Sequence, residues 1–270
     1  MKKMFVIYFL LFLIIIILPI ILLLNLKKED KKISDNKRFS FYKEELKERY
    51  DTYKEKYPEL KEIDVITRVN LNLDKDFYTD VKESKDLNKP YVLVNKYNYL
   101  DENYVPDNLE ELTSCSISGK LLVKEAKENF ELMCDDIKKE NLNIRVISSY
   151  RGYNYQKTLY DNYVLKDGKE KADTYSARPG FSEHQTGLVI DVDNGKTDFN
   201  NFENTKEFEW MINNSYKYGF ILRYPYGKEN ITGYSYESWH YRYVGKEVSE
   251  YIYHNDLTLD EYYVRFIDIN

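Results

Sequence analysis

The chain has 270 residues, of which 43% are hydrophobic and 16% aromatic, so it can form a globular domain with additional segments and is too apolar to be disordered. Its formal net charge of −6 argues against a general nucleic-acid-binding protein, which usually carries a basic surface. Two cysteines exclude a disulfide-rich scaffold and a four-cysteine metal site. Three histidines permit at most a sparse metal site, in which we expect carboxylates to share the coordination.

An uncharged apolar stretch covers residues 4–24 and is long enough to cross a bilayer as one helix. It is longer than the apolar core of a cleaved signal peptide, and no small-residue cleavage site follows it. We therefore predict a transmembrane signal anchor over residues 1–26, with cleavage as the alternative. Lysines on both sides leave the orientation undecided by charge. Because a large domain follows one N-terminal anchor, we expect a single-pass protein of the cell membrane with that domain outside the cell.

Residues 27–62 are predicted to form a polar stalk that ends in a helix. Residues 27–41 are polar and charged. Apolar residues then recur at intervals of three and four until Pro58, namely Tyr42, Leu46, Tyr50, Tyr53 and Tyr57. This stripe favours a helix packed on the domain. A short coiled coil that dimerises the stalk is the alternative, for which two heptads are too few.

Helices and short strands are mixed over residues 63–255, which we predict to be one domain. The predicted strands cover 65–67, 91–95, 143–149, 188–192, 220–224 and 239–244, and the predicted helices 119–142, 154–166 and 205–218. Residues 99–114 are predicted to be a loop, and 256–270 a C-terminal extension. The late strands are short and hairpin-like, so we predict an α+β fold, a small antiparallel sheet flanked by helices and preceded by the transmembrane helix.

The two cysteines leave two structures open. Outside the membrane, Cys115 and Cys134 could form one disulfide. Alternatively, Cys134 is a core residue, because Met133 and Ile137 lie beside it on a predicted helix.

Two segments, 179–194 and 234–245, concentrate the residues that suit metal chemistry. The first contains His184 in a loop flanked by glycines and Asp191 in the strand that follows, and the second contains His240. Two imidazoles and one carboxylate suit zinc, which in catalytic sites takes three protein ligands and a water. We therefore predict a Zn²⁺ site, although the same ligand set occurs in non-haem iron oxygenases.

A zinc-activated water needs a general base, and Glu237, three residues before His240, is the candidate. Residues three apart in a flat strand face opposite sides, so this pairing requires a bend or a bulge. Arg151 follows a predicted strand, where it can hold a carboxylate or stabilise an oxyanion. Each of these patterns alone is weak, and a structural histidine or a surface arginine is the alternative interpretation.

Taken together, the motifs resemble those of the VanY-type D-alanyl-D-alanine carboxypeptidases of zinc peptidase family M15. The family patterns occur in the expected order: S-x-Y-R with a following Gln as Ser148, Tyr150, Arg151 and Gln156; S-x-H-x-x-G-x-x-x-D as Ser182, His184, Gly187 and Asp191; and E-x-W-H as Glu237, Trp239 and His240. The resemblance covers roughly residues 60–250. Departures at Ser149, Gly152 and Val189 affect no ligand position.

The resemblance implies one role for each site residue: zinc binding for His184, Asp191 and His240, catalysis for Glu237 and Arg151, and substrate binding for Ser182 and Gln156. It implies a carboxypeptidase that hydrolyses the terminal D-alanine of peptidoglycan stem peptides or their precursors. L,D-carboxypeptidase activity on tetrapeptide stems and a catalytically silent cell-wall-binding protein are the alternatives. The oligomeric state is left open, and no nucleic-acid partner is expected.

Overall fold

The structure is a computed structural model that describes residues 39–269. These residues belong to two compact units, one that includes residues 39–66 and one of residues 67–268. The transmembrane helix predicted from residues 4–24 and most of the polar part of the predicted stalk lie outside the described residues. Within the described range, no helix is long and apolar enough to cross a membrane.

The helix predicted in the stalk is shorter in the structure. Helix α1 covers Lys47–Lys56, and its buried residues are Tyr50 and Tyr53, two members of the predicted stripe. The helix ends just before Pro58, as expected, because proline lacks a backbone donor and disfavours helical geometry in the residue before it.

A second helix, α2 (Glu62–Asn70), replaces the strand predicted at 65–67. Val65, Ile66 and Val69 are almost fully buried, and their spacing places them on one side of the helix. The prediction was wrong because the preference of β-branched residues for strands is weak and is overridden when a helix buries them on one face.

Four short strands form two separate pairs. They are β1 (Lys82–Glu83) parallel to β2 (Asn98–Tyr99), and β3 (Leu109–Glu111) antiparallel to β4 (Leu121–Val123). Strand β3 lies in the segment 99–114 that was predicted to be a loop. The run 91–95, predicted to be a strand, belongs to no strand of the described structure. Residues 92–95 of this run are buried, and Asn95 forms an isolated bridge with Asn98.

Helix α3 (Lys124–Lys139) confirms most of the helix predicted over 119–142, but not its start. The prediction began the helix at Gly119, whereas the chain first forms β4. The predicted helix included Leu122 because an apolar residue at this position also fits a buried helix face. In the structure, Leu122 is buried as part of strand β4, which pairs with β3.

The main sheet has four antiparallel strands. They are β5 (Arg145–Ser148), β6 (Val189–Asp193), β7 (Phe220–Leu222) and β8 (His240–Tyr243). The spatial order is β5-β6-β8-β7, and every neighbouring pair is antiparallel. All four strands overlap segments predicted to be strands, and the predicted α+β fold with a small antiparallel sheet is confirmed.

The two faces of this sheet differ because side chains alternate along each strand. One face is apolar and shares a core with α3, and its residues include Ile190, Val192, Tyr241 and Tyr243. The other face of the same two central strands carries Asp191, His240 and Arg242. Burying each large apolar side chain contributes about 1.5–3 kcal/mol, so the apolar face fixes the register and thereby the position of the polar residues.

Cys115 and Cys134 form a disulfide that joins the segment after β3 to helix α3. Cys134 is also fully buried beside Met133 in the core. Of the two alternatives that the sequence left open, the structure therefore contains the disulfide, and its second cysteine belongs to the core as well.

The remaining helices flank the sheet. They are α4 (Tyr153–Asp167), α5 (Lys169–Tyr175), α6 (Lys206–Asn214), α7 (Glu229–Thr232), α8 (Lys246–His254) and α9 (Leu259–Tyr262), with a π-helical turn at Tyr263–Ile267 and 3-10 turns at Glu44–Leu46, Glu183–Thr186, Phe199–Asn204 and Ser215–Tyr218. The predicted helices 154–166 and 205–218 are confirmed, the second with a 3-10 last turn. Within the predicted C-terminal extension, Leu259 and Val264 are buried in a second core with Ile221 of the sheet.

Candidate active site

The main sheet places two of the predicted metal ligands directly opposite each other. In the register between β6 and β8, Asp191 pairs with His240. Directly opposed residues project from the same face, here the polar one. Strand β5 pairs with β6 along the edge of β6 that faces away from β8. A register shift after Val146 in β5 brings Ser148 opposite Asp191. Antiparallel pairing thus collects polar residues from three strands at one point of the sheet.

His184 reaches this point from the short 3-10 helix that precedes β6. Its Nδ1 lies 2.6 Å from the carbonyl oxygen of Ser149, so Nδ1–H is the donor and Nε2 keeps a free lone pair. That Nε2 lies 3.3 Å from Asp191 Oδ2. Gly187 ends the 3-10 turn with a φ of 68°, and a Cβ there would lie 2.7 Å from Leu109 Cδ2. The tight turn that aims His184 therefore requires glycine.

The ligand atoms of His184, Asp191 and His240 all lie within 4.8 Å of one another, and all three residues are buried. His240 Nδ1 is 3.2 Å from Asp191 Oδ1, and the imidazole rings are perpendicular with centroids 5.1 Å apart. Among the described residues, the buried Oδ1 of Asp191 has no hydrogen-bond partner. Lone pairs that converge in a buried site repel one another unless a cation lies between them. Two nitrogens and one carboxylate oxygen fit zinc.

The electrostatics of the site favour a neutral His184 and a cation next to His240. Burial and the Arg151 guanidinium lower the pKa of His184 to about 4, so its Nε2 carries a lone pair at neutral pH. Burial also disfavours protonation of His240, but three carboxylates outweigh it and raise the pKa of His240 well above its ordinary value. They belong to Asp191, Glu183 and Glu237. A site that attracts a proton so strongly also attracts a metal ion.

Glu237 lies in the turn that precedes β8. Its backbone N–H donates to the carbonyl oxygen of Tyr224 at 3.1 Å, and its Oε2 is 3.2 Å from His240 Nδ1. Because β8 begins at His240, the two residues do not share a flat strand, and the bend that their spacing requires is present. Burial raises the pKa of Glu237, which suits a group that must accept and return a proton.

Arg151 lies between β5 and α4, beside the three ligands. Its Nη1 donates to Ser148 Oγ at 2.8 Å and to Asp191 Oδ2 at 3.4 Å. Its backbone N–H donates to the carbonyl oxygen of His184 at 3.2 Å. The buried Nε of Arg151 has no partner within the described part of the chain. The guanidinium is therefore held in place with a donor free to bind a negatively charged oxygen.

A cleft of about 600 Å³ opens onto the three ligands and is also lined by Ser182 and Gln156, the predicted substrate-binding residues. Gln156 Nε2 donates to the carbonyl oxygen of Ala177 at 2.8 Å, while its buried Oε1 has no partner among the described residues. Trp239 also lines the cleft, and the centroid of its ring is 5.0 Å from that of Phe199. Other aromatic side chains line the wall, namely Tyr155, Tyr163, Tyr175, Tyr224 and Tyr236. Such a cleft suits a peptide with small apolar side chains.

A buried ionic network behind the ligands was not anticipated from the sequence. Glu183 Oε1 accepts hydrogen bonds from Arg223 Nε at 2.9 Å and from Arg242 Nη1 at 2.8 Å. Arg223 Nη1 donates to Asp260 Oδ2 at 2.6 Å, and all four residues are almost completely buried. The available indication was that Arg223 and Arg242 lie in the predicted strands 220–224 and 239–244, because a charged residue in a buried strand needs a buried partner.

The site is that of a metal-assisted hydrolase. It combines three buried metal ligands with a neighbouring carboxylate and an arginine, all of which line one cleft. Residues 119–246, which contain every predicted site residue, match the family VanY, described as D-alanyl-D-alanine carboxypeptidase. The putative carboxypeptidase YodJ of Bacillus subtilis (strain 168) is 40% identical over 206 residues, which are 71% of this chain and 76% of the relative.

Two solved structures extend the comparison. The LD-carboxypeptidase LdcB is 39% identical with a TM-score of 0.65, over 69% of this chain and 91% of that protein. A mutant of the vancomycin-resistance D,D-pentapeptidase VanY, solved in complex with Zn(II), is 34% identical with a TM-score of 0.57, over 64% of this chain and 98% of that protein. The chain therefore belongs to the VanY family of D-alanyl-D-alanine carboxypeptidases.

Proposed function

We propose that this protein is a zinc-dependent carboxypeptidase that removes the terminal D-alanine from peptidoglycan stem peptides, with D,D-carboxypeptidase activity on pentapeptide stems. The observation that carries the proposal is the convergence of His184, Asp191 and His240, within 4.8 Å, at the cleft that Glu237 and Arg151 line. Family membership and the related VanY mutant solved with Zn(II) support the choice of metal.

Each residue has a defined task in the proposed reaction. His184, Asp191 and His240 hold zinc, which when bound acts as a Lewis acid and lowers the pKa of a water toward about 7. Glu237 takes a proton from the attacking water and returns it to the leaving amine nitrogen, for which its raised pKa is suited. Arg151 donates hydrogen bonds to the carbonyl oxygen as negative charge develops on it.

The substrate lies in the aromatic cleft with its C-terminal end at the metal ligands. Gln156 offers its free Oε1 as an acceptor for a peptide N–H, and Ser182 lies at the start of the turn that carries His184. The aromatic side chains that line the cleft pack against the methyl groups of the alanine residues.

L,D-carboxypeptidase activity is the second candidate, because the LD-carboxypeptidase LdcB is 39% identical to this chain. Mass spectrometry after incubation of pentapeptide and tetrapeptide stems with the zinc-loaded enzyme separates the two activities. Loss of one alanine from the pentapeptide alone supports the D,D proposal. Loss from the tetrapeptide alone assigns the L,D activity. Release of alanine from neither stem contradicts a carboxypeptidase and favours a catalytically silent wall-binding protein, against which the complete set of site residues argues.

The proposed location is the outer face of the cell membrane, with residues 4–24 as a single-pass anchor. The length and apolar character of this stretch support the proposal. A reporter enzyme that is active only after export, fused to the C-terminus, should be active in membrane fractions. An active reporter in the culture medium would indicate a cleaved segment, and an inactive reporter would contradict the orientation.

A further inference from the structure

Glu183 is adjacent in sequence to one metal ligand and faces the other. Its Oε2 lies 3.8 Å from Nε2 of His240, and both atoms are buried without a hydrogen-bond partner among the described residues. Two unpaired polar atoms of complementary type, an acceptor and a ring N–H, thus face each other at slightly more than hydrogen-bond distance. Leaving both unpaired is costly, and a small decrease in their separation would join them in a hydrogen bond.

Nδ1 of His240 is the nitrogen directed at the site, because it lies 3.2 Å from both Asp191 Oδ1 and Glu237 Oε2. If Nδ1 is to offer a lone pair, the ring proton must lie on Nε2, the nitrogen that faces Glu183. The ring of Tyr224, with its centroid 4.8 Å away, packs against His240 and limits its rotation. The orientation of this ligand therefore depends on what Nε2 can bond to.

We propose that Glu183 is a positioning residue for the metal site: it accepts a hydrogen bond from Nε2–H of His240, and so fixes the tautomer and ring orientation that direct Nδ1 to the metal. The inference rests on the proposed zinc binding and extends it to a residue that does not touch metal or substrate. Carboxylates that orient ligand histidines in this way typically strengthen metal binding 10–100-fold.

Two arginines hold the Glu183 carboxylate in position for this task. Both Arg223 and Arg242 donate to Oε1, which leaves Oε2 for His240. The network consists of these two arginines, Glu183 and Asp260. It contains two positive and two negative charges, so it is neutral as a whole. A carboxylate neutralised in this way accepts a hydrogen bond without removing the imidazole proton.

The test compares two isosteric changes in the same network, Glu183→Gln and Asp260→Asn, in the full chain. Each removes one buried negative charge, but Asp260 bonds to Arg223 and Asn95, not to His240. In Glu183→Gln the single amide oxygen cannot serve both the arginines and His240. Zinc affinity, measured by competition with a chelator, should fall 10–100-fold in Glu183→Gln and less than threefold in Asp260→Asn. Equal losses in both, or no loss in Glu183→Gln, would overturn the proposal.

A spectroscopic test on the wild-type protein covers the case in which Glu183→Gln does not fold. With ¹⁵N-histidine and ¹¹³Cd in place of zinc, direct cadmium–nitrogen coupling should appear at Nε2 of His184 and Nδ1 of His240, with a slowly exchanging Nε2–H on His240. Coupling at Nε2 of His240, or a rapidly exchanging Nε2–H, would refute the role of Glu183. Absence of bound cadmium and of bound zinc would instead refute the proposed metal site itself.

Discussion

Replacement of Glu237 by glutamine is the sharpest perturbation of the proposed chemistry. The change preserves the size of the side chain and the backbone hydrogen bond to Tyr224, but removes the carboxylate 3.2 Å from His240 Nδ1. Loss of a general base typically costs 10²–10⁴-fold in rate, so we expect kcat to fall by that factor, which corresponds to about 2.7–5.5 kcal/mol of transition-state stabilisation. KM should change less, because this group acts on the attacking water and not on the bound peptide.

The assay is release of D-alanine from a pentapeptide stem, with the zinc content per chain measured on the same samples. Glu250→Gln is the matched control, because Glu250 is an exposed residue of α8 outside the cleft. It should keep the kcat of the wild type. A Glu237→Gln variant with wild-type kcat would refute the reasoning. A variant that loses zinc in proportion to activity would show that Glu237 holds the metal and is not the base.

Three further predictions concern Arg151, the disulfide and Glu183. Arg151→Lys should lower kcat 10²–10³-fold at unchanged zinc content, because lysine lacks the planar fork that holds a developing oxyanion; steady-state kinetics with metal analysis tests this. Replacing Cys115 and Cys134 together by alanine should reduce the free energy of unfolding by about 3 kcal/mol, the value expected for a disulfide that closes a loop of 19 residues. Urea unfolding measures this change, and an equal stability of the oxidised wild type and the double variant would contradict the prediction. Glu183→Gln should destabilise the apoenzyme by about 3–5 kcal/mol at pH 7. Burial alone would raise the pKa of Glu183, but two arginines outweigh it and hold this pKa below its ordinary value. As the pH falls, the unfolded chain therefore binds a proton at Glu183 before the folded chain does, and the difference in unfolding free energy between wild type and variant should shrink below about pH 4. A difference in urea unfolding that does not change with pH would contradict this.

Two of the main strands were predictable because each lies in a short and largely apolar run of residues. The runs at 188–192 and 220–224 became β6 and β7 for this reason. The prediction of a strand at 65–67 was wrong because three successive β-branched residues are compatible both with a strand and with the buried face of a helix. Only the spacing to Val69, one helical turn further, separates the two, and three residues are too short a window to show it.

The metal ligands were predictable from residue types and from the resemblance, but their geometry was not. That Asp191 lies opposite His240 follows from the pairing of β6 with β8, which depends on contacts between residues 49 positions apart in the chain. The role of Glu183 was hidden for the same reason. Its partners Arg223 and Arg242 are 40 and 59 residues away, and no local pattern connects them.

The most direct test of the central claim is a titration of metal-free enzyme with zinc, followed by release of D-alanine from stem peptides. We predict that activity is absent without metal, rises in proportion to added zinc and reaches its maximum at one zinc per chain, because the described residues form one site of three ligands, His184, Asp191 and His240. Full activity after complete removal of the metal would contradict the account, and so would activity that requires iron and a 2-oxo acid.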